Sequence, residues 1–448
     1  MTTLDTDTIA AIATPRGNGP VGIVRLSGPK SLDIAQLLTR SELQPRYAHY
    51  RSFFSKNHDP IDSGLAIYFP KPRSFTGEHV VEIQAHGGHI VLNSLLSRCL
   101  ELGARSARPG EFSERSFLNG KIDLLQAEAI ADLINAETET AATLATASLS
   151  GTFSALVDEL SATLTELRAL TEASIDFPDE DIDVMSQYDV ISRLQECLKT
   201  ISQLLDTVSA SQRKTQRYSA VLIGAPNAGK SSLLNALAHD DVAIVTSVAG
   251  TTRDTLKHSI ITRSVAIDII DTAGIRESND FIEQEGVRRA KASTQTADLV
   301  LNVVDDCQPN HIDSSWLPDN AIKINIHNKI DLSGRQPGRF NCDVAQPCVA
   351  VSATNNLGVE CLIDTIDEVL LSQGQHQSEF SARARHIDAL SDAHRLLEAS
   401  LVRFNDHNAA ELLSEDLKSV QTAIDSLTGK ISSDDILGEI FSSFCIGK

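Results

Sequence analysis

Polar and apolar residues alternate over residues 79–85, placing Val81, Ile83 and Ala85 on one face and Val80, Glu82 and Gln84 on the other, as a half-buried strand requires. Two further apolar stretches, residues 8–14 and 21–27, are joined by Pro15-Arg16-Gly17-Asn18-Gly19-Pro20, and this turn-rich linker predicts a hairpin. Residues 1–120 therefore read as α+β. After Gly120 the period changes. Ile122, Leu125, Ala129, Ile130 and Leu133 recur at helical spacing, and helix-favouring sequence continues to about Ile175. The run Asp176-Phe177-Pro178-Asp179-Glu180-Asp181 reads as a solvated acidic turn. Helical sequence then resumes to about Ser211, Arg213-Lys214-Thr215 reads as a polar connector, and after Gly374 the helical period returns with Leu390, Leu396, Leu397 and Leu401.

Between the two helical regions, short apolar strands at residues 220–223, 265–270, 299–304 and 322–326 alternate with helical stretches. That alternation predicts a mainly parallel, doubly wound sheet covered on both faces. The expected organisation is thus multidomain, α/β and α+β. An N-terminal α+β domain spans residues 1–120. A helical domain is split into 121–215 and 374–448 around an inserted domain at 216–373.

At 448 residues and 42% hydrophobic, the chain is too long for one ordinary core. A formal charge of -21 argues against non-specific coating of a polyphosphate, and RNA affinity would need local basic clusters or a partner. Seven cysteines are scattered without a CxxC pair, which fits a reducing compartment rather than a disulfide or zinc framework. No leader and no segment of roughly 20 apolar residues is evident, so the chain reads as a soluble cytoplasmic protein.

The chemistry gathers at predicted strand ends. Gly224-Ala225-Pro226-Asn227-Ala228-Gly229-Lys230-Ser231 follows a strand and opens a helix at Ser232, the context of a phosphate-binding loop. Its glycines let backbone N–H groups converge on phosphate oxygens, Lys230 neutralises charge, and the Ser231 hydroxyl is a magnesium ligand. Asp271-Thr272-Ala273-Gly274 ends another strand, where a carboxylate can hold a metal-bound water and a glycine N–H can approach a γ-phosphate. Between the two motifs, Thr252 offers magnesium a second hydroxyl when the nucleotide orders its loop. Asn328-Lys329-Ile330-Asp331 follows a third strand, and the Asp331 carboxylate suits the N1–H and exocyclic amine of guanine, a donor pair that adenine lacks. Ser352-Ala353-Thr354 then offers N–H groups to the base carbonyl. Asn328 and Asp331 together make the chain a guanine-nucleotide hydrolase rather than an ATPase.

Ile275 stands after Gly274, where many GTPases carry a water-orienting glutamine, so Arg276 and Glu283 become the candidates for that task. A monovalent cation near Asn227 is a further way to place positive charge beside the β/γ-phosphates. His86-Gly87-Gly88-His89 lacks further nearby ligands and reads as a turn rather than a metal pair.

With these motifs in place, the chain resembles the MnmE (TrmE) family of tRNA-modification GTPases. Residues 7–15 (DTIAAIATP) and 21–28 (VGIVRLSG) resemble the family's opening. Residues 108–115 (RPGEFSER) resemble the exit of its N-terminal domain, and Phe444-Cys445-Ile446-Gly447-Lys448 its terminal CIGK motif. The resemblance implies a folate-binding N-terminal domain, a helical domain split around the G domain, and a homodimer formed through the N-terminal domains. It implies action with the flavoprotein MnmG, in a heterotetramer, to place an aminomethyl or carboxymethylaminomethyl group at C5 of the wobble uridine of certain tRNAs. The one-carbon unit would come from a tetrahydrofolate derivative, 5-formyl or 5,10-methylene, and no membrane is involved.

By the same resemblance Arg25, Glu82, Lys121 and Lys448 contact the folate. Asn227, Thr246, Val248 and Thr251 hold potassium, and the surrounding Ser247, Ala249 and Gly250 belong to the GTP-binding loop. Glu283 is the catalytic glutamate, with Arg276 in the same switch. Cys445 invites a nucleophile reading, yet a thiol flanked by Phe444 and Ile446 is equally suited to packing. A reading from another class is a GTP-dependent assembly factor for ribosomal RNA or protein that modifies nothing; folate binding discriminates the two.

Overall fold

The computed structural model describes residues 7–15, 17–176, 188–239, 257–271, 297–308, 321–341, 346–371, 379–407, 409–431, 434–442, 444 and 447. The chain forms two compact units. One comprises residues 1–131, 148–198 and 392–448, and the other residues 132–147 and 199–391.

The first unit opens with the expected hairpin, β1 (Ile9–Ile12) and β2 (Gly19–Ser27), paired antiparallel. With β3 (His49–Phe54), β4 (Pro60–Phe69), β5 (Val80–Gly87) and β6 (Arg105–Ser106) it builds a six-stranded sheet in the order β3-β4-β5-β2-β1-β6. Strand alternation divides the labour between its faces. Val24, Leu26, Val81 and Ile83 are buried against α1 (Ser31–Thr39) and α2 (His89–Glu101) through Ile34, Leu38, Leu92 and Leu95. Arg25 and Glu82, one residue out of phase, are placed on the opposite face, directly across from one another in the β2–β5 register.

A charged cluster fastens α3 (Glu111–Leu118) to the start of the chain. The Glu111 side chain is 1% exposed and accepts bonds from Arg105 (2.6 Å) and Arg115 (3.1 Å), while Arg115 also donates to Asp7 (2.6 Å) and Glu78 (3.2 Å). Burial pushes the Glu111 carboxyl upward. The Arg105 guanidinium, the Arg108 N–H and Arg115 outweigh that and hold it below its ordinary value of 4.5. Because the folded-state pKa is depressed, this carboxylate's contribution is complete above about 4.5 and is lost as pH falls through the folded value. Arg115→Met, which breaks the pairing of a buried charge, is expected to destabilise the fold by about 3 kcal/mol at pH 7. Urea unfolding followed at pH 7 and pH 4 checks this, with a smaller wild-type-to-mutant gap at pH 4; equal gaps at both would show that packing, not charge, is lost.

Helical sequence follows as expected: α4 (Leu124–Asn135), α5 (Glu139–Leu149) and α6 (Thr152–Asp176). The acidic run beyond Asp176 lies outside the described residues. α7 (Val190–Thr215) corrects one expectation, since Arg213-Lys214-Thr215 is its last turn rather than a connector. Two cations at a helix C-terminus suit the macrodipole, and the Tyr218 hydroxyl caps the Arg213 carbonyl at 2.8 Å, so polarity here prolongs the helix.

The second unit holds a seven-stranded sheet. Its strands are β7 (Arg217–Gly224), β8 (Lys257–Ile261), β9 (Ala266–Asp271), β10 (Leu299–Asp305), β11 (Ile322–Asn328), β12 (Gly338–Phe340) and β13 (Cys348–Ala350). The order is β12-β13-β11-β10-β7-β9-β8, parallel except for the two edge strands, β8 and β12. α8 (Lys230–His239) and α10 (Val359–Leu371) pack Leu233, Leu237, Leu362 and Ile366 onto one face of the sheet; between them in sequence lies the short α9 (Ile330–Ser333).

Arg217, at the start of β7, forks onto Glu137 at 2.9 Å and also bonds Asp268; Arg383 forks onto Asp132 at 2.6 and 3.1 Å. A cavity of about 240 Å³ lies there, lined among others by Asn135, Lys214, Gln216, Ser381 and Arg383.

The chain returns through α11 (Ala384–His407), α12 (Ala410–Thr428) and α13 (Asp434–Ser442). In the first unit α12 packs along α6, where the Ser161 hydroxyl donates to the buried Asp425 carboxylate at 2.6 Å. Among the described residues no single helix is long and apolar enough to cross a membrane. Cys99, Cys197, Cys307 and Cys361 are free thiols, and burial raises Cys99 to about 12 and Cys197 to about 11. Cys348 departs from the expected scatter of thiols, being disulfide-bonded. A rule that looks for CxxC spacing cannot see a bridge of another span.

Candidate functional site

The centre of the parallel sheet dictates where the candidate residues meet. β7 has β9 on one side and β10 on the other, so the loop leaving its carboxyl end sits where strand order reverses, the usual location of a ligand crevice. Within that loop Asn227 adopts φ 65° and Gly229 φ 93°. The turn is closed by Ala228 N–H donating to the Ala225 carbonyl at 3.2 Å, and Leu233 N–H begins the helical ladder on the Gly229 carbonyl at 2.9 Å. α8 therefore starts at Lys230, two residues before the Ser232 start expected from sequence. The Lys230 ammonium donates to the carbonyls of Gly224 (2.8 Å) and Ala225 (3.0 Å), holding a cation over the loop. Ser231 and Ser232 are exposed in the first turn of α8, which carries no acidic side chain to offset the positive end of the helix dipole.

Three strand ends are joined by one amide. Asn328, 2% exposed at the end of β11, donates Nδ2–H to the Ala228 carbonyl (2.9 Å) and accepts from Ala353 N–H at Oδ1 (3.1 Å). Gly229 is required beside it, because a Cβ there would lie 2.2 Å from Asn328 Nδ2. Lys329 takes the left-handed conformation (φ 68°) and donates Nζ–H to Asp305 at 2.7 Å, which holds the Asp305 carboxyl below the usual range. Ile330 is buried, its N–H donating to the Val351 carbonyl at 3.3 Å. Asp331 is exposed, and its Oδ1 accepts from the buried Ser352 hydroxyl at 2.6 Å. A tight turn from Ser352 to Leu357, bonded at both ends, leaves Thr354 at the surface.

Asp271 is the last residue of β9, in register with Leu222 of β7. The phosphate-binding loop, Asn328–Asp331 and Ser352–Thr354 thus converge at one end of the sheet. The remaining nucleotide-site and potassium candidates lie outside the described residues: Thr246, Ser247, Val248, Ala249, Gly250, Thr251, Thr252, Thr272, Ala273, Gly274, Arg276 and Glu283. Sequence reasoning missed Asp305 and Asp306. Tandem acids at a strand end, neighbouring the strand that carries Asn328, were the available signal.

A second gathering lies in the first unit. Arg25 donates Nε–H to Glu82 Oε1 at 3.0 Å and Nη1–H to the Gly447 carbonyl at 3.3 Å, so the chain's last turn reaches the sheet face carrying Arg25 and Glu82. The guanidinium lies 5.8 Å from the ring centres of both Phe75 and Phe112. Gly447, at φ 94°, passes so close to β1 that a Cβ would lie 2.4 Å from the Ile12 carbonyl. Lys121 lines a separate cavity of about 370 Å³ with Phe117, Gln126 and Lys430, its stem against Gly77. Cys445 and Lys448 lie outside the described residues. His86 bonds Asp62 through Nδ1 at 2.8 Å.

Comparison with known proteins gives matches to two family models. A family model described as the MnmE helical domain matches residues 124–445, and one described as the GTP-binding protein TrmE N-terminus matches residues 8–121. The chain belongs to the MnmE family. Curated members named tRNA modification GTPase MnmE align along nearly its whole length. The one from Ectopseudomonas mendocina is 48% identical over 450 residues, covering 99% of each chain. That from Pseudomonas fluorescens (strain Pf0-1) is 47% identical over 451 residues at the same coverage. The MnmE of Chromohalobacter salexigens is 45% identical over 450 residues, 99% of this chain and 98% of its own. Membership makes the α/β and α+β multidomain architecture that of a tRNA modification GTPase family, with the nucleotide motifs on the parallel sheet.

Proposed function

We propose that this chain hydrolyses GTP to drive modification of the wobble uridine of tRNA. The observation that carries the reading is the Asn328 tie, which binds the phosphate-binding loop to both candidate base-recognition segments at one end of the sheet. Backbone N–H groups at the start of α8 receive the phosphates and Lys230 neutralises them. The Asp331 carboxylate accepts from N1–H and the 2-amino group of guanine, oriented by the Ser352 hydroxyl. Ser231, exposed in the first turn of α8, and Thr252 would hold a magnesium ion, which would supply charge neutralisation at the phosphates. Asn227, exposed and held at positive φ in the loop, is suited to a potassium ion completed by Thr246, Val248 and Thr251. Glu283 orients the attacking water, and Arg276 belongs to the same switch segment.

The Arg25–Glu82 pair, with the terminal turn laid against it, suits a folate. The Glu82 carboxylate, held by Arg25 on the same face, suits the pterin N–H donors, and Lys121 and Lys448 are the cations for the folate's glutamate end. A folate held there would supply the one-carbon unit that, with the flavoprotein MnmG, comes to stand at C5 of the uridine. The working form is a cytoplasmic homodimer joined by MnmG into a heterotetramer.

The test is GTP turnover in potassium against sodium at several protein concentrations. Potassium-specific acceleration that grows with concentration is expected, because two G domains must meet; rates indifferent to both would sink the cation-assisted mechanism. Glu283→Ala is expected to keep GTP affinity and lower turnover about 100-fold, the scale of lost general-base or water-orienting help. A parallel loss of affinity would move Glu283 from catalysis to binding. Failure of 5-formyltetrahydrofolate to bind the full chain would favour the assembly-factor alternative.

A further inference from the structure

Asp306 follows β10 directly, and its side chain is 3% exposed. Its backbone N–H donates to the Asn328 carbonyl at 3.0 Å. Its carboxylate, an acceptor only, receives three side chains: His327 Nδ1–H at 3.0 Å, Ser333 Oγ–H at 2.5 Å, and Arg335 Nε–H at 2.9 and 3.0 Å. Arg335 is braced in turn, its guanidinium 4.4 Å from the centre of the Phe340 ring, which meets the His327 ring edge-on at 4.9 Å. Every one of these donors lies in the stretch from His327 to Arg335, which contains Asn328, Lys329, Ile330 and Asp331. That stretch carries one strained residue, Lys329 at φ 68°, whose ammonium is held by the neighbouring Asp305. A non-glycine left-handed residue relaxes unless its surroundings fix it.

Resting on the reading of this crevice as a GTP site, we infer that Asp306 is a positioning residue for base discrimination: gripping His327 before, and Ser333 and Arg335 after, the base-recognition segment, it fixes where the Asp331 carboxylate meets the purine's 2-amino edge. The Asp306 carboxyl is equipped to stay ionised. Burial pushes its pKa up, but Arg335, Ser333 and His327 together bring it below the ordinary range. Nothing in this role touches the phosphates, so it separates base recognition from the hydrolytic machinery.

The experiment compares steady-state hydrolysis of GTP and of inosine triphosphate, which lacks the 2-amino group, by the full chain and by Asp306→Ala and Arg335→Ala. Asp306→Ala is expected to raise KM for GTP about tenfold with kcat within about twofold, and to reduce the GTP-over-inosine preference in kcat/KM by about tenfold, one well-formed hydrogen bond's worth of discrimination. Arg335→Ala, removing one exposed donor of three, is expected to move the preference the same way by about threefold. If Asp306→Ala fails to fold, Arg335→Ala and Ser333→Ala give the result. Weakening of both nucleotides alike, with the preference intact, would reduce Asp306 to a brace of the sheet and overturn the inference. A wild-type chain that turns over neither nucleotide, or both equally, would overturn the GTP reading itself.

Discussion

Asp331→Asn is expected to lower kcat/KM for GTP by roughly 100- to 10,000-fold and to make xanthosine triphosphate a substrate instead. The carboxylate accepts at both oxygens, whereas an amide accepts at one and donates at the other. Facing guanine, the introduced N–H group opposes the 2-amino donor; facing xanthine, it meets a carbonyl at that position. Two hydrogen bonds to a charged group at about 1.5–3 kcal/mol each set the size of the loss. Ser352 donates to Asp331 Oδ1 at 2.6 Å and orients the carboxylate, so the amide oxygen of the variant inherits that bond and its nitrogen is left toward the base. Equal loss for both nucleotides would show that Asp331 supports the loop and does not read the base.

Gly229→Ala is the second large expectation. Its φ of 93° disfavours any side chain, and the new Cβ would fall 2.2 Å from Asn328 Nδ2. Displacing Asn328 breaks both the bond to the Ala228 carbonyl and the one from Ala353 N–H. A cost of about 1–3 kcal/mol for the left-handed backbone adds to about 1–3 kcal/mol for each polar group left unpaired in the interior. Affinity for GTP and GDP is expected to fall together by about 100-fold or more, with a drop in unfolding midpoint, as read by fluorescent-nucleotide titration and urea denaturation. Retained affinity would mean that the three strand ends hold their places without the tie.

How much of this was legible in the chain differs from element to element. Half-buried and buried strands announced themselves because period-two alternation and short apolar runs are imposed by burial, and β2, β5, β7, β9, β10 and β11 formed within a few residues of expectation. The phosphate-binding loop was legible because its function demands glycine where a Cβ collides. Asn328 was expected to read the base. Its tie to a carbonyl 100 positions earlier depends on two strand ends meeting, which no local pattern encodes. The prolongation of α7 through Arg213–Lys214–Thr215 was hidden for a different reason. Charge and polarity resemble a linker in composition, yet cations at a helix end complement its dipole. Asp305 and Asp306 escaped because their meaning lies in the neighbouring strand.

The cavity beside Arg217 and Arg383 brings Lys214 and Gln216, where the chain passes into the parallel sheet, together with Ser381 and Arg383, where it leaves. A stretch whose two ends adjoin is a cassette: it can be excised, circularised or exchanged for another protein with similarly neighbouring termini while the flanking helices keep their spacing. For a protein engineer this makes the nucleotide-binding segment a replaceable cartridge.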